Sequence, residues 1–189
     1  MADVRYDYCI GTANSGLKKA LAAMLGTVSF YSSGEGKSIP LLLRTLRSVQ
    51  PWLAVIDTDL PPGNIEELAA IIENDGLAAA LYINSGNSRL RNYVQLSWPV
   101  DETVLTAVAE AICSEFAHKK KLQGKIEALQ QKLCERKIIE KAKGIVATQF
   151  ALSEEESYQF MQSMSMKKRI SIAALASQVV NDPGLLSVL

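Results

Sequence analysis

Over its first 118 residues the chain alternates short apolar runs with stretches whose apolar residues recur every three or four positions. The strand-like runs cover 6–11, 27–31, 52–57, 78–83 and 93–98. Between them 15–25, 38–48 and 65–73 have helical spacing, and 101–117 has it after the last run. Few folds accept this pattern. Strands that are apolar almost throughout need cover on both faces, and helices between them supply that cover to a parallel sheet. The expected front domain, residues 1–118, is therefore α/β, a doubly wound five-stranded parallel sheet. Ligands of such sheets sit beyond the carboxyl ends of the strands, so the residues closing each run, Asp57 among them, are where chemistry is to be sought.

The remaining 71 of the 189 residues have a different character. From Lys119 onward there are 12 Lys and Arg against 7 Asp and Glu, a net of +5, while the preceding residues hold 8 against 13, a net of −5. The overall charge of zero thus hides an acidic front and a basic back, the asymmetry expected when one end meets a polyanion. An apolar content of 48% with 21% charged residues fits a cored globular protein. No run approaches about 18 consecutive apolar residues, and MADVRYDY carries acids and no apolar segment, so neither a membrane span nor secretion is expected and the protein reads as cytoplasmic. Cys9, Cys113, Cys134 and the single His118 have no metal-ligand spacing. Reduced, packed thiols are the reading, with no metal and no cofactor.

No Pro- or Gly-rich linker separates the halves. Val104, Val108, Ile112 and Phe116 line one helical face, and Leu122, Ile126, Leu129 and Leu133 continue it at 4-3-4 spacing. Residues 119–134 are therefore expected to be a coiled-coil linker that pairs with its twin in a homodimer, the alternative being an amphipathic helix lying on its own domain. Gly124 inside it lowers helix propensity by about 1 kcal/mol relative to Ala. Residues 135–189 read as a small all-α domain of three short helices. Ile138, Ile139, Ala142, Ile145 and Val146 form the apolar stripe of the first, with Arg136, Lys137, Lys141 and Lys143 largely off it. Ser153 and Glu156 make a capping box for the second, whose buried face should be Ser157, Phe160, Met161 and Met164. Ser171 caps the third, Ile170 is placed to staple onto Leu175, and Leu175, Ala176, Val179 and Val180 follow before Asn-Asp-Pro-Gly ends the helix.

Two resemblances attach to these residues. The run WLAVIDTDLPPGN, in which Asp57 closes an apolar strand before a Leu60-Pro61-Pro62-Gly63 turn, resembles the receiver domain of two-component response regulators. The resemblance implies a flavodoxin-like strand order, makes Asp57 the phosphoacceptor candidate, and implies a sensor kinase or other signalling protein as an upstream partner. The family's acidic metal-binding pair falls on Thr12 and Ala13, its switch Thr/Ser on Asn84 or Ser85, and its lysine on Trp98. A hard divalent cation wants several carboxylate oxygens, and Thr-Ala offers at most a hydroxyl. Asp59 is the other carboxylate on that loop. A degenerate receiver serving for dimerisation or partner docking is the preferred reading, with Asp57 capping its turn.

The tail segments EKAKGIV, SEEESY and ISIAALASQVV are similar to the ANTAR domain, the RNA-binding output module of certain transcription antitermination regulators. Val146-Ala147 stands for the usual Leu-Met, and Ser157-Tyr158 for Ala-Tyr. The resemblance implies a dimer that holds paired hairpins of a nascent leader transcript, prevents a terminator hairpin and so acts on the RNA polymerase complex indirectly. Tyr158 is the stacking candidate, Ala142 and Gly144 would allow close approach, and Lys141, Lys143, Lys167, Lys168 and Arg169 are the phosphate and base-edge candidates.

Two other functions compete. A DNA-binding response regulator would use the third helix, but ISIAALASQVV carries no Arg, Lys or Asn with which to read a major groove. A protein-binding adaptor leaves the basic tail unexplained. Catalysis is not expected, since GTANSG and SSGEGKS have neither phosphate-loop spacing and no nucleophile–His–carboxylate set is present.

Overall fold

A computed structural model describes residues 6–26, 30–86 and 90–182. The elements run β1 (Tyr6–Gly11), α1 (Ser15–Leu25), β2 (Phe30–Gly36), α2 (Ile39–Val49), β3 (Leu53–Asp57), α3 (Ile65–Asn74), β4 (Ala79–Asn84), β5 (Gln95–Ser97), α4 (Glu102–Phe150), α5 (Glu154–Lys168) and α6 (Ile172–Asn181). They divide into two compact units, 1–120 and 121–189.

The front unit is a parallel sheet in the order β2-β1-β3-β4-β5. That is the flavodoxin-like order, so both the fold class and the strand order expected from the sequence are present. Alternation sends Tyr8, Ile10, Leu53, Val55, Leu81 and Ile83 to one face, where Leu17 and Leu21 of α1 and Leu105 and Ala109 of α4 cover them. It sends Cys9, Ala54, Ile56 and Tyr82 to the other, under Leu42 and Leu46 of α2 and Leu68 and Ile72 of α3. Caps hold the helix starts: the Asn14 side chain accepts from Gly16 and Leu17, and that of Asn64 from Glu66.

Two features depart from a regular doubly wound sheet. β2 runs Phe30–Gly36, later than the expected 27–31, of which 27–29 lie outside the described residues. Ser-Ser-Gly-Glu-Gly reads locally as a turn, yet pairs with β1 as far as Gly11↔Gly36. A Cβ at Gly36 would stand 2.6 Å from the Leu42 Cα, so glycine there lets α2 lie directly on the strand. Second, only 85–94 join β4 to β5, and no helix is present among the described residues of that connection. Parallel neighbours normally take a dozen or more residues and a helix. Buried Leu90 substitutes for one, with Tyr93 edge-on to Tyr82 at 5.6 Å between ring centroids.

The thiols of Cys9 and Cys113 are buried and that of Cys134 is exposed, all three free. Burial pushes Cys113 up to about 12, which keeps it a packed, unreactive thiol. No helix among the described residues is long and apolar enough to cross a membrane.

The rear unit is helical. Ala142 and Val146 of α4, Met161 and Met164 of α5, and Leu175, Ala176 and Val179 of α6 form its core, with Ile138, Ile139, Ile145, Phe160 and Val180 packed around them. α4 ends at Phe150; Ala151 follows with a left-handed φ of 50°, and the Leu152 N–H closes back on the Ala147 carbonyl at 3.1 Å. Both halves of the Ser153–Glu156 capping box form, and the Ser171 hydroxyl accepts from the Ala174 N–H at 3.1 Å.

Candidate phosphoacceptor site and nucleic-acid interface

Asp57 sits at the carboxyl end of β3, only 4% exposed, and both of its oxygens are engaged. Thr12, where β1 gives way to α1, donates its hydroxyl to Oδ2 at 2.7 Å. Ser85, just past β4, donates to Oδ1 at 2.6 Å, and the Asp59 N–H reaches the same oxygen at 3.1 Å. Of the two switch positions left open by the sequence, Ser85 is therefore the one that touches Asp57. Asn84 accepts through its carbonyl from the Trp98 N–H at 2.9 Å, while its buried Oδ1 has no partner among the described residues. The Trp98 ring packs on the sheet face in the position where a receiver would present an ammonium group.

A receiver-type Mg²⁺ does not fit this donor set. Such an ion wants about six oxygens, several of them carboxylate. The cleft supplies Asp57, already accepting three hydrogens, together with Asp59 and a Thr-Ala pair. No cluster of three His, Cys, Asp or Glu able to hold a metal occurs among the described residues. Nor does an ammonium group balance the two added charges of an aspartyl phosphate.

In the rear unit, the residues singled out from sequence fall into three groups. Lys141 and Gly144 lie on one exposed face of α4 and, with Ile145, Thr148 and Gln149, line an open depression of roughly 480 Å³. A Cβ at Gly144 would meet nothing within 4 Å, so packing inside this chain does not demand a glycine. Ile145, Thr148 and Gln149 were not expected there. Ile145 is four residues beyond Lys141, and Thr148 and Gln149 are four and five beyond Gly144, a spacing that could have flagged them. Lys143 is turned toward its own helix, 2.9 Å from Glu140, whose carboxylate raises the lysine pKa. Tyr158, near the start of α5, is 43% exposed and available to stack.

Lys167 and Lys168 form the last turn of α5, where the helix dipole favours cations. Arg169 follows with φ 55°, a left-handed conformation that costs a non-glycine residue about 1 kcal/mol. All three side chains are exposed. Ala142 corrects the sequence reading. It is 0% exposed in the helical core, so its side chain cannot face a ligand. It belongs to the apolar stripe it was drawn from.

In the linker every residue from 118 to 134 is exposed. Leu122, Ile126, Leu129 and Leu133 show 45, 49, 61 and 59% of their surface.

Comparison with known proteins agrees with this division. Residues 127–180 match the ANTAR domain, beginning inside the stretch read from sequence as coiled coil. The front unit has the receiver fold. It is similar to the signal receiver domain of NarL from Mycobacterium tuberculosis (TM-score 0.51, 16% identity, covering 57% of this chain and 96% of that one). It is also similar to the receiver domain of a Luxo repressor protein from Vibrio parahaemolyticus (TM-score 0.55, 12% identity, covering 63% of this chain and 98% of that one). The chain thus combines a front unit of receiver fold with a stretch that matches the ANTAR domain. Along nearly its whole length it is similar to the transcriptional regulatory protein PdtaR of Mycobacterium tuberculosis, 22% identical over 176 residues that cover 89% of this chain and 86% of the relative.

Proposed function

We propose that the protein is an RNA-binding transcription antitermination regulator. It holds paired hairpins of a nascent leader transcript as a dimer, under the control of a front domain that does not use a phosphorylated aspartate. The observation that carries this reading is the ANTAR match over 127–180, on a unit with exposed cations, one of which, Lys141, lines a groove together with Gly144. Lys141 and Gly144 offer a phosphate contact beside a bare backbone, Tyr158 offers a stacking face, and Lys167, Lys168 and Arg169 offer a second cationic corner. The DNA-binding alternative is disfavoured by α6, whose exposed positions are Ala174, Gln178 and Asn181 and carry no cation for a major groove. The exposed stripe from Leu122 to Leu133 repeats at the d and a positions of a heptad and is self-complementary, which makes a second copy its cover.

Asp57 then acts as a structural carboxylate tying β1, β3 and the turn after β4 together. The front domain signals through docking or self-association, with a sensor kinase or another signalling protein as its partner.

Gel-shift titration of the full chain tests the RNA reading. A tandem-hairpin leader RNA should bind with affinity that falls steeply with salt, and duplex DNA of equal length should bind far more weakly. Lys141→Ala with Lys168→Ala should weaken RNA binding about tenfold or more and flatten the salt dependence, each lost phosphate contact lowering the log–log slope by about one. Equal affinity for the DNA, or an unaltered titration of the double variant, would refute the assignment.

A further inference from the structure

The linker stripe is flanked in an unusual way. With Leu122 and Leu129 at d and Ile126 and Leu133 at a, the flanking e and g positions are Gln123, Lys125, Gln130, Lys132 and Lys137. None is acidic. The segment's only acids, Glu127 and Glu135, stand outside the flanks and accept from Gln123 at 3.0 Å and from Gln131 at 2.9 Å along their own helix. Lys125, Lys132 and Lys137 form no ion pair among the described residues. Coiled coils ordinarily use e and g for attraction between strands. In a parallel pair of these helices Lys132 faces Lys137 of the other copy, twice by symmetry, and Lys125 faces Gln130. The apolar seam is also short, about a heptad and a half against the three to four that make a coiled coil firm.

From this we infer that RNA is a structural partner of the dimer. The lysines flanking the seam repel across it until RNA phosphates lie along them, so binding the transcript and closing the coiled coil are one coupled event. The coupling rests on the RNA-binding reading above and adds its regulation: a free protein poised near dissociation, and a nascent leader that selects the paired state. Lys137 lies one helical turn before the groove residue Lys141, so RNA seated in that groove can extend onto the flank of the seam. Linkage makes the effect reciprocal, because a ligand that binds the dimer better than the monomer must tighten the dimer by the same factor.

The sign of the salt effect separates this from ordinary hydrophobic pairing. Like charges across the seam are screened as salt rises, so the RNA-free dimer should tighten, whereas RNA binding should weaken with the same salt. Sedimentation velocity on the full chain at about 50 mM and about 500 mM NaCl reads the first arm; a roughly threefold or greater tightening is expected from screening. Adding a tandem-hairpin RNA at the lower salt should shift the chain to dimers carrying one RNA. Lys132→Glu sets a carboxylate against Lys137 of the other copy. It should tighten the RNA-free dimer roughly five- to tenfold and abolish the salt-driven tightening, while gaining less from RNA. The proposal is overturned if the RNA-free dimer responds to salt identically in the wild type and in Lys132→Glu, even with RNA bound tightly. Failure of any hairpin RNA to bind at either salt would overturn the RNA reading beneath it, an outcome distinguishable because the RNA-free arm is read independently.

Discussion

The front and rear units solve the same problem at different scales. Among the described residues the sheet is flanked by two clusters of fourteen buried side chains, whereas the helical unit has one cluster of seven. The front unit keeps its most buried carboxylate fully hydrogen-bonded and covers both sheet faces from its own sequence. The rear unit leaves an apolar stripe, a groove with a bare glycine and a string of cations exposed. Small cores also leave little margin, because the share of surface buried on folding shrinks as a domain gets smaller.

That contrast breaks first where the margin is thinnest. Leu175, 2% exposed, sits at the centre of the rear cluster. Leu175→Ala should cost about 2–5 kcal/mol, comparable with the whole stability of a small helical domain. Hydrogen exchange should then show amides of α5 and α6 losing protection while β1, β3 and β4 keep theirs. If both units lose protection together, they fold as one cooperative body and the contrast is wrong.

A smaller effect tests the front unit's self-sufficiency. Asp57→Ala strands the buried Thr12 hydroxyl and should cost about 1–3 kcal/mol, read as a lower denaturation midpoint of the sheet. The wild type treated with acetyl phosphate and Mg²⁺ should show little phosphoryl addition by intact mass. Stoichiometric labelling at Asp57 would restore it as a phosphoacceptor and reopen the front unit as a phosphorylation switch.

What was legible in the sequence follows the same divide. β1 and α1 have the expected bounds because apolar period and cap agree there: Asn14 starts α1 where the helical spacing begins. The unbroken α4 was legible because no Pro interrupts 102–150 and a lone Gly124 costs too little to break a helix. β2 was misplaced because its glycines contradict strand propensity, and the close approach of α2 at Gly34 and Gly36 explains them. The choice between Asn84 and Ser85 is a one-residue register question at a strand end. Of the two, Ser85 places its hydroxyl on Asp57, a contact 28 residues distant in sequence. Ala142 shows the opposite failing. Its place in the apolar stripe was readable, but family resemblance drew it toward the ligand.

The mildest prediction concerns the capping box of α5. The Ser153 hydroxyl, and then the Ser153 N–H, donate to the Glu156 carboxylate and lower its pKa below the ordinary glutamate value. Because the folded value is depressed, the stabilisation is fully present above the unfolded pKa of about 4.3 and is lost as pH falls through the folded value. Glu156→Gln keeps a side-chain acceptor for the Ser153 N–H but does not titrate. The denaturation midpoint of the rear unit should therefore differ between wild type and Glu156→Gln at pH values near neutral, and the difference should vanish toward about pH 3. The gap should be small, since the pair is exposed and water competes for both partners. Ser153→Ala removes the hydroxyl that accepts from the Glu156 N–H at 3.3 Å, so it should cost about 1 kcal/mol even in acid and more near neutral pH, where its donation to the carboxylate is lost as well. A wild-type midpoint that tracks Glu156→Gln across the whole range would assign the cap's strength to the serine alone.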